Sequence, residues 1–428
     1  MRIAMFTNTY LPHVGGVARS VKTLEDACRR FGHEVKVIAP EFDGAEPSPD
    51  VLRVPAIQHF NGSDFCVRLP MPNVVRSFME DFAPDLIHSH HPFLLGDAAL
   101  RESWKMKVPV VFTHHTLYER YTHYVPLDSP ALKRIAIQLA TEYCNLCDTV
   151  IAPSESIAKL LRDRGVESPV RTIPTGIDTA SFGAGDGGRF RAGAGIPRDA
   201  RVIGHVGRLA REKNLIFLAE AVSLRLKEDP GAVFLLVGDG DAREEMLSVL
   251  GRSVGEEQIH FAGKKSGRDL ADAYAAMDYF AFASQTETQG IVLAEAMAAG
   301  KPVVALDGPG VREIVEDGGN GILLRGDATA AEFASALELL MTDAAFSKLC
   351  SEKARASAEA YGTDSCARRM IACYEDLIAT RDYLPGDDPM PWDRFVAGVE
   401  VEWGLLSAKM SAAAAAVIET PATEASLD

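Results

Sequence analysis

Two glutamates, Glu287 and Glu295, lie in a stretch that reads strand, polar loop, helix. Residues 279–283 are an apolar run of strand length, and residues 291–299 are rich in Leu, Ala, Met and Glu, which favour helix. Gly300 and Pro302 supply the stop. In open α/β sheets ligands bind at this junction, outside the carboxyl ends of the strands. The helix opens with N–H groups that lack intrahelical partners, which suits an anion such as a diphosphate. Carboxylates repel an anion, so they need another task. An ionised carboxylate only accepts hydrogen bonds and takes hydroxyl protons well. A ligand with a central diphosphate and a sugar at each end, a nucleotide sugar, satisfies the whole stretch. The plainer alternative leaves Glu287 as a helix cap and Glu295 as a surface helix residue, and the two residues alone do not separate these readings.

Cations stand at another strand end. After the apolar run 201–207 come Arg208, Arg211 and Lys213, donors that fit a diphosphate. Three cations at a helix start would oppose the macrodipole, which weakens a purely structural reading. Histidines gather at His88, His90, His91, His114 and His115. So many imidazoles raise the question of a metal, yet no Asp, Glu or Cys at ligand spacing accompanies them. Gly15 and Gly16 join a strand over 2–7 to a helix over about 18–30. The loop is not G-x-G-x-x-G, so the dinucleotide fingerprint is absent. The glycine pair serves either a tight turn or close approach of a phosphate or sugar.

Glu287 and Glu295, with seven residues between them, resemble the E-x7-E motif of retaining glycosyltransferases of family 4, which have the GT-B fold. Many members carry Gly-Phe where this chain has Thr288 and Gln289, and the Thr-Glu-Thr-Gln-Gly version is similar to the bacterial diacylglycerol glucosyltransferase branch. The resemblance implies that Glu287 holds donor-sugar hydroxyls and Glu295 the ribose hydroxyls. Thr288, Gln289, Gly290, Ile291 and Val292 complete the implied donor site, and the glycine pair Gly15 and Gly16 is expected to border it. Residues 207–214 resemble the family's G-R-x-x-x-x-K-N segment, in which Arg208 and Lys213 would stabilise the leaving nucleoside diphosphate, with Arg211 a solvated neighbour. Residues 113–118 resemble its His-Thr motif and select His115 as the sugar contact. His115, Arg208, Lys213 and Glu287 are thus the implied catalytic set, working by front-face displacement without a covalent nucleophile. No metal and no cofactor beyond the donor, UDP-glucose, is expected. Diacylglycerol is the expected acceptor, met by Tyr118, Arg120 and Tyr121, and a soluble sugar end is the alternative. A nucleotide-sugar 2-epimerase and a non-enzymatic nucleotide-sugar sensor are rival readings that the motifs oppose.

The rest of the chain must position these residues. At 428 residues it is too long for one typical domain. Apolar runs alternate with helical stretches in two series, one to about residue 180 and another from 201 to 380, predicting two doubly wound domains facing a cleft. Residues 181–200, rich in Gly, Arg and Ala, read as a linker. Residues 381–410 are expected to cross back to the first domain and 411–428 to be a disordered tail. A net charge of −16 argues against nucleic acid, whose phosphates demand basic surface. The acidic excess falls beyond Asp178, leaving the first half nearly balanced and free to meet lipid. The first domain's 65–79 stretch, with Arg68 and Arg76 among apolar residues, is read as either core or membrane contact. Seven scattered Cys, including the Cys144/Cys147 pair in a helical segment, make no disulfide framework. With no span-length apolar run and no signal-peptide pattern, the expected location is the cytoplasm, with peripheral contact at the inner face of the plasma membrane.

Overall fold

The computed structural model describes residues 1–13, 15–57, 67–68, 72–120, 130–252 and 254–380. In the first domain the strands are β1 (Arg2–Phe6), β2 (Glu34–Pro40), β3 (Val51–Val54), β6 (Leu86–Ser89), β7 (Val110–Thr113), β8 (Thr149–Ala152) and β9 (Val170–Thr172). A short antiparallel pair, β4 (Ala56–Ile57) and β5 (Val67–Arg68), stands apart. Among the described residues the main sheet runs β3-β2-β1-β6-β7-β8-β9, with every neighbouring pair parallel. Strands β6, β7 and β8 are buried at every position, as parallel strands covered by helices on both faces must be. Helix Pro72–Phe82 puts Val75 and Met79 into the core, so its inner face packs rather than reaching outward.

The second domain repeats the design with β10 (Arg201–Val206), β11 (Ala232–Val237), β12 (Ile259–Phe261), β13 (Tyr279–Phe282), β14 (Val303–Leu306) and β15 (Gly321–Leu324), ordered β12-β11-β10-β13-β14-β15. Strand order reverses between β10 and β13, which pair directly, so their carboxyl ends open side by side. The stretch read as a linker is part of this domain. It forms helices Thr179–Gly183 and Gly187–Ala194, capped by Asp178 and Asp186, whose Oδ1 atoms accept from Ser181 N and Arg189 N at 2.9 Å. A Cβ on Gly187 would sit 2.4 Å from the Ala275 carbonyl oxygen, so only glycine lets this stretch seat on helix Gly267–Ala276.

The chain already returns to the first domain before residue 381. Helix Thr363–Thr380, read from sequence as the end of the second domain, packs Met370, Ile371, Cys373 and Tyr374 against Ile3, Met5 and Val21. Burying side chains such as Met370 and Ile371 contributes about 1.5–3 kcal/mol each. The Tyr374 hydroxyl meets His88 Nδ1 at 2.6 Å. The two connections between domains run side by side, with Ile177 N donating to Tyr361 O at 2.8 Å and Thr363 N to Ile177 O at 2.9 Å. The predicted crossing segment 381–410 and tail 411–428 lie outside the described residues.

Candidate active site

Two adjacent strand ends of the second domain bring the cationic and acidic candidates together. Beyond β10, Arg208 starts a loop whose next residues, Leu209 and Ala210, are buried. The loop after β11 tucks beneath it. A Cβ on Gly238 (φ +140) would fall 1.8 Å from the Gly207 carbonyl oxygen, so glycine is required there. Lys213 ends a single 3-10 turn and donates to Glu287 Oε1 at 2.7 Å. Burial alone would push the Glu287 carboxyl up; the Lys213 ammonium and the Ser284 hydroxyl outweigh it and hold the group below its ordinary value. Arg208 is paired with Glu212, and Thr286 Oγ1 donates to Glu212 O at 3.0 Å, sewing the two loops together. Arg211 is 83% exposed, a solvated neighbour as expected.

Glu295 is no surface residue. It sits in helix Ile291–Ala298 with 3% of its surface exposed, and Ile291 and Val292 open that helix against the core. Gly290, at φ +75, precedes the helix, and no side chain caps it. Tyr274 donates to Glu295 Oε2 at 2.7 Å, and Arg19 of the first domain donates to Oε1 at 3.0 Å. Burial raises Glu295 above the usual carboxylate value, against the pull of Arg19 and Tyr274. Arg19, Tyr274 and Glu212 escaped the sequence reading. Arg19 follows the glycine pair by three residues, a spacing that puts it on the exposed first turn of helix Gly16–Arg30. Among the described residues, its chain neighbours and own helix backbone aside, no atom lies within 4 Å of where a Cβ on Gly16 would sit.

The first domain's rim carries the histidines. His115 Nε2 and His90 Nδ1 share a hydrogen bond of 2.9 Å. His88 uses both nitrogens, on Tyr374 and on Thr113 Oγ1 at 2.7 Å, and His91 Nδ1 accepts from Asn8 N at 3.0 Å. Burial pushes His90 and His115 well below the ordinary imidazole value, with their histidine neighbours adding to it. Among the described residues no three of His, Cys, Asp or Glu converge as a metal-ligand set. Tyr118 packs edge-on to Phe93 and His114. The side chain of Arg120 and all of Tyr121 lie outside what the structure describes. A further histidine, His205, was not singled out from sequence. It is buried beneath the Lys213–Glu287 pair, donates from Nδ1 to Ala281 O at 3.0 Å, and is pushed down to about 4 by burial.

The loop of Glu287 also reaches the first domain. Thr288 Oγ1 donates to His115 O at 3.0 Å, and Gln289 bonds the backbone of Thr175. Sugar-facing candidates from both domains therefore border one cleft, although the side chains of Thr288 and Gln289 are engaged with protein.

Comparison with known proteins bears on this cleft. Residues 14–181 match the sequence profile of Glycosyltransferase Family 4, and residues 200–343 match that of Glycosyl transferases group 1. The chain is similar to an alpha-monoglucosyldiacylglycerol synthase of Streptococcus pneumoniae, with 29% identity over 334 residues and 76% of each chain covered. It is also similar to a GDP-mannose-dependent alpha-mannosyltransferase of Mycobacterium tuberculosis, 31% identical over 76% of this chain and 84% of the relative. Its fold matches that of sucrose-phosphate synthase from Thermosynechococcus elongatus, with a TM-score of 0.72 at 21% identity, covering 89% of this chain and 100% of the other. The two-domain arrangement is GT-B, and the chain belongs to glycosyltransferase family 4.

Proposed function

We propose that this protein transfers glucose from UDP-glucose to a hydroxyl of diacylglycerol, with retention at the anomeric carbon and without a metal. The observation that carries the reading is the Lys213–Glu287 pair: a carboxylate kept ionised at the strand ends, in a loop bonded to Glu212, the partner of Arg208, and one residue from the contact to His115. Such a carboxylate accepts sugar hydroxyls, and the cations beside it receive the diphosphate. Glu295 accepts two bonds from protein, which leaves lone pairs for ribose hydroxyls.

In the proposed step the bond from the anomeric carbon to the diphosphate oxygen breaks. The acceptor oxygen attaches on the same face, and its proton passes to the departing phosphate oxygen. Arg208 and Lys213 stabilise the charge that develops there, while Glu287 and His115 fix the sugar. Glucose and a lipid acceptor are favoured by the synthase relative. Among the described residues no helix is long and apolar enough to cross a membrane, so in this reading the lipid is met from the surface, at the inner face. A second reading, GDP-mannose as donor, is favoured by the mannosyltransferase relative.

The test is a matrix of donors and acceptors with purified full-length protein. UDP-glucose and GDP-mannose are each offered diacylglycerol micelles or soluble sugars, with and without chelator. A glucolipid formed in chelator supports the proposal. Transfer from GDP-mannose alone refutes the donor, and transfer to soluble sugars alone refutes the acceptor.

A further inference from the structure

We propose that Gln289 and Thr288 are positioning residues, which clasp the donor loop to the first domain and thereby set Glu287 against His115, and that neither side chain contacts the nucleotide sugar. Gln289 is 4% exposed. Its Oε1 accepts from Thr175 N at 2.7 Å and its Nε2 donates to Thr175 O at 2.9 Å, so one side chain satisfies both backbone groups of one residue. Thr175 lies two residues before Ile177, where the two connections between domains are hydrogen-bonded to each other. Gln289 therefore holds the chain two residues from where the domains are joined.

Thr288 holds two more points on the same rim. Its hydroxyl donates to His115 O at 3.0 Å, and its carbonyl accepts from Ser154 Oγ at 2.7 Å. His115, Ser154 and Thr175 follow β7, β8 and β9, three successive strand ends. The next residue back is Glu287, bonded to Lys213 of the second domain. The loop is backed from behind as well, since a Cβ on Gly310 would fall 2.8 Å from Gln289 N. Three consecutive residues thus span the cleft with fixed partners on both sides. A Gly-Phe pair at these positions keeps the backbone carbonyl that meets Ser154 but has no side-chain polar group for the bonds to His115 and Thr175, which gives the Thr-Gln pair of this chain a physical reason.

The inference rests on the reading in which Glu287 and His115 hold the transferred sugar. Its test uses full-length Gln289→Met, which keeps length and removes both bonds, and Thr288→Val, which keeps shape and removes the hydroxyl. Hydrogen exchange at the Thr175 amide should accelerate at least tenfold in Gln289→Met without loss of protection in the core strands. Transfer kcat should fall about 10- to 100-fold in each variant, the range expected when reacting groups are displaced by about an ångström. Affinity for uridine diphosphate should stay within about twofold, and the ratio of donor hydrolysis to transfer should rise. Unchanged Thr175 exchange overturns the clasp. So does wild-type kcat in both variants, or a tenfold loss of diphosphate affinity, which would make these residues donor contacts. If the wild-type protein turns over no nucleotide sugar, the functional reading fails on its own, and Thr175 exchange still decides whether the clasp exists.

Discussion

Lowering the pH from 7 to 5 should loosen the first domain by about 4 kcal/mol through two histidines. His88 and His114 are fully buried, and burial pushes them down to about 3 and about 4, respectively. Unfolded histidine titrates near 6.5. With the folded value depressed, the unfolded chain binds protons that the folded chain refuses, so stability falls as pH drops below about 6.5. At pH 5 each group costs about 2 kcal/mol relative to pH 7, out of a total of roughly 5–15. His90 and His115, also depressed by burial, act in the same direction. Native-state hydrogen exchange of the β6 and β7 amides, converted to opening free energies at pH 7, 6 and 5, reads this directly. Between pH 6 and 5 these two groups supply a slope of roughly 2 kcal/mol per pH unit, and His114→Leu should remove about half of that. The strands around His205 hold one strongly depressed histidine, at about 4, and should show a smaller slope. A flat pH response of β6 and β7, or an unchanged slope in His114→Leu, would refute the reasoning.

Two further substitutions follow from the ion pairs. Lys213→Met leaves the Glu287 carboxylate in its site without its cation, so the Glu287 pKa rises. Transfer kcat should fall about 100- to 1000-fold, and the acid limb of the residual pH–rate profile should move to higher pH; steady-state kinetics from pH 4 to 8 checks both. Arg19→Met removes the cation that opposes burial at Glu295, which then protonates more readily and accepts hydroxyls less well. The donor KM should rise more at pH 6 than at pH 8, measured in parallel titrations, and an equal rise at both would count against the ribose role.

Most strands were legible because a parallel strand covered on both faces is a continuous apolar run. Strand β11 is apolar and buried at all six positions, Ala232 to Val237. Strand β3, an edge strand with arginine at its third position and partly exposed residues, carries no such run and was missed. Residues 363–380 are expected in the second domain, and the helix they form packs on the first. Its partners, such as His88 for Tyr374, lie 286 residues away, and helical periodicity does not say which core a helix joins. Arg208, Lys213 and Glu287 could be grouped in advance because each follows a strand, and β10 and β13 turn out to be neighbours. Arg19 and Tyr274 could not, since a cation on an exposed turn and a tyrosine inside a helix are ordinary until Glu295 is seen between them. Gln289 is expected at the donor from the family resemblance; only the fold reveals that its amide fits the backbone of Thr175.

The central claim is that this cleft moves a hexose from a nucleotide sugar with its configuration kept. The most direct measurement is proton nuclear magnetic resonance of the product formed from UDP-glucose and diacylglycerol by the wild-type protein in excess chelator. The account predicts an α-glucosyl lipid, with one UDP released per glucose transferred. A β-linked product, or free glucose with no lipid product under any acceptor concentration, would contradict it.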